Sequence, residues 1–331
     1  MPTRKIILPS PNTVAASATS LISCPVGPAY RYRAIHLKIG AVTTTTTAIA
    51  AGSLPAGAVG ATSVTTSYVG DIRVKINGRV QRLHTASQLN RLNAINGTVY
   101  AAATWGSNAA TAGSRYGQVL TIWFAEPWRK SLGQQDALAL PTSRINTLEV
   151  EVDFAALPTN GNAFVLSAWA EVDGEPASDI HNDGVVVSKV FRQNITGGTA
   201  AGSAVDITTL DRRDLYTTIV ADVGNTAAVS VAANGITVAA GTNDFSAKLK
   251  ITANGVDIHD VPKNVAALMH NGNGLNANQF DLEAVLDSSD DIRSGLTGNG
   301  LSDLRVRIDN VSDVAASASW VLLTERTGPI D

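Results

Sequence analysis

The sequence predicts an all-β chain made of two similar units in tandem. Three observations carry that prediction. Short segments recur in the same order in both halves, apolar and polar residues alternate with a period of two, and Asn-Gly turns punctuate the alternation. Arg31-Tyr32-Arg33-Ala34-Ile35 with Gly40 is matched by Leu215-Tyr216-Thr217-Thr218-Ile219 with Gly224. Lys75-Ile76-Asn77-Gly78 is matched by Lys250-Ile251-Thr252-Ala253-Asn254-Gly255, Leu148–Asp153 by Leu304–Asp309, and Phe164–Glu171 by Ala318–Glu325.

Each strand follows from its alternation. Ile35, Leu37 and Ile39 alternate with His36 and Lys38, and Ile72, Val74 and Ile76 with Arg73 and Lys75. Leu120, Ile122 and Phe124 repeat the pattern, as do Leu148, Val150 and Val152. In the second half Leu249 and Ile251, Leu282 and Ala284, and Leu304, Val306 and Ile308 do the same. One face of each strand is therefore packed and the other polar or at an interface. Asn77-Gly78 and Asn254-Gly255 are hairpin turns, because both residues tolerate the positive φ of a type I′ turn.

A short helix is predicted after each hairpin. Thr85-Ala86-Ser87-Gln88 has capping-box form, with Leu89 and Leu92 on one face behind it. In the second unit Asp260 is the expected cap and Pro262 stands in the first turn. Val261, Val265, Leu268 and Met269 line one side, and Gly272 ends the helix. Both apolar stripes are expected in the core. Even strand spacing suggests sandwiches or closed antiparallel barrels, and the inserted helix suits an elaborated jelly roll in each of the two units. The first spans residues 1–175, with long loop inserts at about 41–69 and 101–117. Residues 176–210 read as a crossing segment with room for one strand at its core-like stretch, Val185 to Val190, and 211–331 as the second unit.

Bulk properties narrow the function. The 331 residues leave room for two full cores. A net charge of −3 implies no polyanion partner, so no nucleic-acid binding is expected. Charged residues are 16%, against about 25% in ordinary soluble domains, which predicts surface buried against other chains. Cys24 is the single cysteine and reads as a small buried residue. The N-terminus has no apolar stretch of signal-peptide type, and no run of about 18 apolar residues offers a membrane span.

No residue pattern commits the chain to chemistry. The histidines His36, His84, His181, His259 and His270 are scattered, and His84 and His259 take matching places before the two helices, which points to fold rather than catalysis. Asp179–Gly184 begins like a calcium loop, but Val190 stands where the twelfth, acidic ligand belongs. Asp287, Asp290 and Asp291 form an acidic turn that reads as solvated. Glu149 and Glu151 share one side of a strand as a glycosidase pair would, yet Arg305 and Arg307 replace them in the second unit. Trp105, Trp123, Trp128, Trp169 and Trp320 read as core or interface. No catalytic, cofactor-binding or metal-ligating residue is assigned, and no enzyme is expected. A secreted or cell-surface β-sandwich binding module, adhesin or glycan binder, is the alternative. A cupin or glycosidase on a double barrel is third, and the histidines lack the clustering a cupin needs.

Asp71-Ile72-Arg73-Val74-Lys75-Ile76-Asn77-Gly78-Arg79 followed by a short helix resembles a unit of the corticovirus major capsid protein. So does Leu120–Pro127, an aromatic strand ending in Glu-Pro, and the strands Leu148–Phe154 and Asp303–Asp309 are similar to those near the end of that family's barrels. The resemblance runs from about Ala29 to Leu323. It implies an all-β double jelly-roll coat protein, with two tandem eight-stranded jelly-roll barrels, of a membrane-containing icosahedral bacteriophage, made in the host bacterial cytoplasm and found in the virion capsid. It further implies homotrimers of pseudo-hexagonal outline, contacts with vertex or penton proteins and minor membrane proteins, and an internal lipid membrane under the shell. Arg4 and Lys5 are candidates to reach anionic lipid head groups from the N-terminal tail. Shells of this kind hold divalent cations such as calcium, but no motif in this sequence places one. The long Thr- and Ala-rich inserts depart from the family's pattern.

Overall fold

The computed structural model describes residues 3–43, 68–106, 113–157, 160–174, 185–196, 203–223, 229–232, 235–238, 247–276, 279–287, 295–311 and 319–330. The first unit comprises β1 (Arg4–Ile7), β2 (Thr19–Cys24), β3 (Arg31–Thr43), β4 (Val69–Ile76), β5 (Arg79–Thr85), helix α1 (Ala86–Ile95), β6 (Ala103–Gly106), β7 (Arg115–Trp123), α2 (Leu132–Asp136), β8 (Leu140–Pro141), β9 (Leu148–Phe154) and β10 (Gly161–Asp173). The second comprises β11 (Val186–Thr196), β12 (Ser203–Ile207), β13 (Leu215–Asp222), β14 (Val229–Ala232), β15 (Gly235–Val238), β16 (Lys248–Ala253), β17 (Val256–Pro262), α3 (Lys263–Gly272), β18 (Leu282–Val285), β19 (Leu296–Thr297), β20 (Leu304–Val311) and β21 (Ser319–Pro329).

Pairing makes the duplication explicit. In the first unit the order β2-β9-β4-β5 faces the order β1-β10-β3-β7, and in the second β12-β20-β16-β17 faces β11-β21-β13-β18. Eight strands per unit thus have a counterpart in the other. The described residues add β6 and β8 in the first unit, and β14, β15 and β19 in the second, beyond the eight expected. Two separate cores fill the sandwiches. One gathers Ile35, Ile72, Ile122 and Val150, the other Ile219, Ile251, Val306 and Trp320. Full burial of each such side chain contributes about 1.5–3 kcal/mol.

Both hairpins turn as their Asn-Gly pairs require. Asn77 and Asn254 have φ of 52° and 48°, and Gly78 and Gly255 follow at 77° and 78°. Each Asn does a second job. The Asn77 side-chain oxygen accepts from the Asn146 and Thr147 amides at 2.8 and 3.3 Å, and that of Asn254 accepts from Ser302 and Asp303 at 2.8 and 3.1 Å. The turn is thereby tied to the start of β9 in one unit and of β20 in the other.

Four expectations change. Residues 186–196 and 203–207, read as a crossing between units, are strands β11 and β12 of the second unit's own sheets. The insert at 101–117 is largely the β6–β7 hairpin, closed by Trp105, whose indole donates to the Ile39 and Gln118 carbonyls at 3.2 Å. Gly40 makes room for that ring, since a Cβ there would lie 2.5 Å from it. Of the insert at 41–69, residues 41–43 extend β3 and residues 68–69 lead into β4, while 44–67 lie outside the described residues. Arg4 and Lys5 are not in a free tail. They sit in β1, where Lys5 meets Glu171 at 3.3 Å and Arg4 donates to the Ala29 carbonyl at 2.6 Å.

The fourth change concerns the helices. Thr85 caps α1 in the predicted box: its hydroxyl accepts from the Gln88 amide at 3.2 Å and Gln88 reaches back at 2.9 Å. All ten residues of α1 are buried. Helix α3 has Pro262, not Asp260, at its N-cap and no side-chain cap; Asp260 stays in β17 and pairs with Lys248 at 2.6 Å. Its buried residues are Lys263, Ala266, Ala267 and His270. The stripe expected in the core is outside, with Val265 38%, Leu268 47% and Met269 51% exposed. Small Ala266 and Ala267 bring the helix close to its sheet, which turns the larger residues outward.

Thr85→Ala removes the hydroxyl that accepts from the Gln88 amide, while the backbone amide of residue 85 still donates to Gln88, and should cost about 1 kcal/mol. The unfolding free energy from urea titration should fall by that amount, while Thr85→Ser keeps most of it.

Candidate functional site

The place where the two units meet is built from elements of both. Strand β5, at the edge of the first unit, takes β11 of the second as a parallel neighbour, with Arg82 opposite Val190. The two sheets merge into one of nine strands. Arg82 is buried, and its Nε donates to the Ser188 carbonyl at 2.9 Å. Beside it, Arg192 of β11 holds Asp71 of β4 through two bonds of 2.6 and 2.8 Å.

Helix α1 lies across the second unit's sheet. Leu92 and Ile95 pack with Val190, Val220, Phe280 and Leu323. Arg91 grips Asp222 with two bonds of 2.9 and 2.6 Å, lies 4.1 Å over the Phe280 ring and donates to the Gln279 carbonyl. Helix C-termini leave carbonyls without partners. Asn276 of the second unit supplies them, its backbone amide donating to the Ile95 carbonyl at 2.8 Å and its side chain to the Ala94 carbonyl at 2.7 Å. The second unit therefore completes the first unit's helix.

A cavity of about 250 Å³ opens along this joint, lined by Glu126, Trp128, Arg129, Thr217, Asp287 and Glu325 among others. Arg129 bonds Asp287 across the joint and reaches Glu126 at 3.2 Å on its own side. Burial pushes Glu126 up to about 7 against the pull of Arg129, and Glu325 and Asp287 add to the rise. Burial likewise raises Glu325, against Arg82 and the Ser188 hydroxyl, which donates at 3.4 Å. Glu126 thus keeps its proton well above the usual carboxylate range.

The residues singled out by sequence fall in several places. His84 is fully buried in the joint-facing strand β5, where burial beside Arg82 pulls it down to about 3. It does not match His259: aligned from Asn77 and Asn254 without a gap, His259 falls opposite Arg82. His270 meets Glu283 at 3.2 Å, and His36 stacks on Trp169 with centroids 5.1 Å apart. His181 and Asp179–Gly184 lie outside the described residues, as do Asp290 and Asp291, and Asp287 is not solvated but bound to Arg129. Glu151 is held by Arg73 at 2.9 Å and Lys75 at 2.5 Å, which keeps its carboxyl below the usual range, so it is a cross-strand ion-pair partner. Cys24 is buried, and burial pushes its thiol up to about 12. Among the described residues no three His, Cys, Asp or Glu side chains are grouped to hold a metal ion, and no helix is long and apolar enough to cross a membrane. Sequence reasoning missed Arg82, Arg91 and Arg129, since a lone arginine in an amphipathic pattern reads as solvent-facing.

Comparison with known proteins agrees with this architecture. Residues 58–173 match the family model of the viral coat protein P2 N-terminal domain. In three dimensions it is similar to the major capsid protein P2 of bacteriophage PM2, at 18% identity and a TM-score of 0.66, over 99% of this chain and 98% of that one. The STIV major capsid protein matches at 11% identity and a TM-score of 0.63, over 99% and 96% of the two chains. The PBCV-1 virus capsid matches at 10% identity and 0.63, over 99% and 93%. No protein of curated function matches the sequence. The double jelly-roll fold and the resemblance to the corticovirus capsid protein are borne out.

Arg129→Ala takes the cation away from the buried Asp287 side chain and should destabilise the chain by about 3–5 kcal/mol in urea unfolding. The Glu126 proton has the opposite sign of effect with pH. The folded state holds it to about 7 while the unfolded chain releases it near the ordinary carboxylate value, so its contribution to stability is lost as pH rises through that window. Glu126→Gln cannot lose the proton and should gain stability on the native chain between pH 5 and pH 8, on the order of 2 kcal/mol. A pH-independent difference would refute the assignment.

Proposed function

We propose that three copies of this chain form a capsomer of pseudo-hexagonal outline, and that such capsomers tile an icosahedral shell over an internal lipid membrane. The observation that carries the reading is the joint. Two equivalent units are locked in one chain by a shared sheet, a shared helix seat and buried ion pairs, so the chain acts as one block with two similar faces. Three such blocks present six similar units, which is the outline a hexagonal lattice position needs. The low charged fraction, 16%, leaves surface for contacts between copies. The lipid layer, the bacterial host, the penton and minor membrane partners, and the lack of catalysis rest on the resemblance to the corticovirus capsid protein.

Light scattering after size exclusion tests the copy number. Three chains of 34.3 kDa sum to about 103 kDa, and a stable species of that mass is expected. A monomer at all concentrations would remove the capsomer. For the membrane, particles containing this chain should carry phospholipid that organic extraction strips away with loss of the intact particle.

A further inference from the structure

The internal repeat supplies a template for a contact that one chain cannot make with itself. In the first unit the edge of β5 is covered by β11 and the outer side of α1 by the second unit's sheet. Their counterparts are β17 and α3. Among the described residues β17 ends its sheet, and α3 shows its apolar stripe to solvent. Aligning Asn77-Gly78 on Asn254-Gly255 without a gap also brings the N-caps Thr85 and Pro262 together. Arg91 then falls on Leu268 and Leu92 on Met269. In α1 these positions are 4% and 7% exposed because the other unit covers them, whereas Leu268 and Met269 stand open.

The surface that covers α1 also has a counterpart. Strand β11 pairs with β21 through Val190 and Glu325, and β1 pairs with β10 through Lys5 and Glu171, so Lys5 takes the place of Val190. By the same registers, His36 takes the place of Val220, Trp169 that of Leu323 and Trp123 that of Val285. These three rings form one cluster, with His36 5.1 Å from Trp169 and 5.9 Å from Trp123, and each keeps part of its surface in solvent. Strand β1 also ends its sheet, and Ile7 on it is 89% exposed. The edges suit each other: β1 carries Arg4 and Lys5, and β17 carries Asp257 and Asp260. Unpaired edges and exposed apolar stripes are what a second chain covers.

We propose that the β17–α3 corner of one copy docks the first unit of a second copy, whose β1 extends the sheet in parallel beyond β17 with Lys5 beside His259, while Val265, Leu268 and Met269 pack on its His36, Trp123 and Trp169. Met269 against tryptophan adds the attraction of sulfur for aromatic edges. The contact is head-to-tail, using different surfaces on the two copies, so it closes a ring when the rotation between copies permits. It rests on the capsomer reading above and names the surfaces that would hold the capsomer together.

Two variants of the full chain test it. Leu268→Asp with Met269→Asp places two charges on an exposed stripe, so the circular dichroism spectrum and melting should stay native. Association should weaken at least 100-fold, giving a one-chain mass where the native protein is assembled. Lys5→Cys with His259→Cys should link neighbouring copies on oxidation, because laterally paired strand residues lie within disulfide reach. Covalent multimers should appear on a non-reducing gel from the double variant and from neither single one. Buried Cys24 does not compete. If the native chain assembles yet the aspartate variant keeps its mass and the cysteine variant does not link, the contact is wrong and the capsomer reading stands. A native chain that never assembles overturns both.

Discussion

The constraint on which the structure depends is that α1 has no face of its own to leave in water. Every residue of the helix is buried, and its outer side is closed by a different unit of the same chain. Apolar packing alone would let the helix slide on that seat. The bidentate grip of Arg91 on Asp222 and the Asn276 bonds to the last carbonyls fix it in register. The parallel β5–β11 pairing and the Arg192–Asp71 and Arg129–Asp287 pairs set the same relation along the rest of the joint. Such pairs contribute little net stability, because stripping water from the charges offsets most of the attraction. Their effect is angular: one orientation satisfies every charge, and displaced ones leave charges buried without partners.

Much of this was legible in the sequence. Strands declared themselves by alternation, because a sandwich buries one face of each strand and leaves the other polar. The two hairpins were legible because Asn-Gly is among the few pairs that accept positive φ twice in succession, and the α1 cap because Thr and Gln three residues apart can bond reciprocally. The joint was not legible. Arg82, Arg91 and Arg129 are spaced as surface residues would be, and only the fold shows that their solvent side is another unit. The segment at 176–210 was misread for a related reason. Strand β11 mixes Lys189, Arg192 and Gln193 into its apolar run, since these side chains meet Asp214, Asp71 and Thr209 from distant parts of the chain.

The α3 stripe was misplaced by the same ambiguity seen from the other side. Period and hydropathy report that a face is removed from water, but not which molecule removes it. The first unit's helix is closed within the chain and carries Arg91 at the closing position. The second unit's helix carries Leu268 there, which is 47% exposed. A folding chain meets its own second unit at high effective concentration, so a joint made inside the chain tolerates charges that must find their partners. A joint made between separate chains starts from free molecules and must overcome the entropy of bringing them together.

That difference accounts for the chemistry at the two equivalent corners. Where the neighbour is tethered, arginines and carboxylates fix the angle of the apolar packing. Where the neighbour arrives by diffusion, aliphatic side chains and methionine face histidine and tryptophan, which provide large area for little loss of side-chain freedom. The charges of β1 and β17 lie at the edge of that surface, where Arg4, Lys5, Asp257 and Asp260 select orientation before the apolar contact forms. One duplicated fold thus holds a joint within the chain and the proposed joint between copies at the same geometric position, and the residues that distinguish them are those whose cover comes from the chain itself or from another copy.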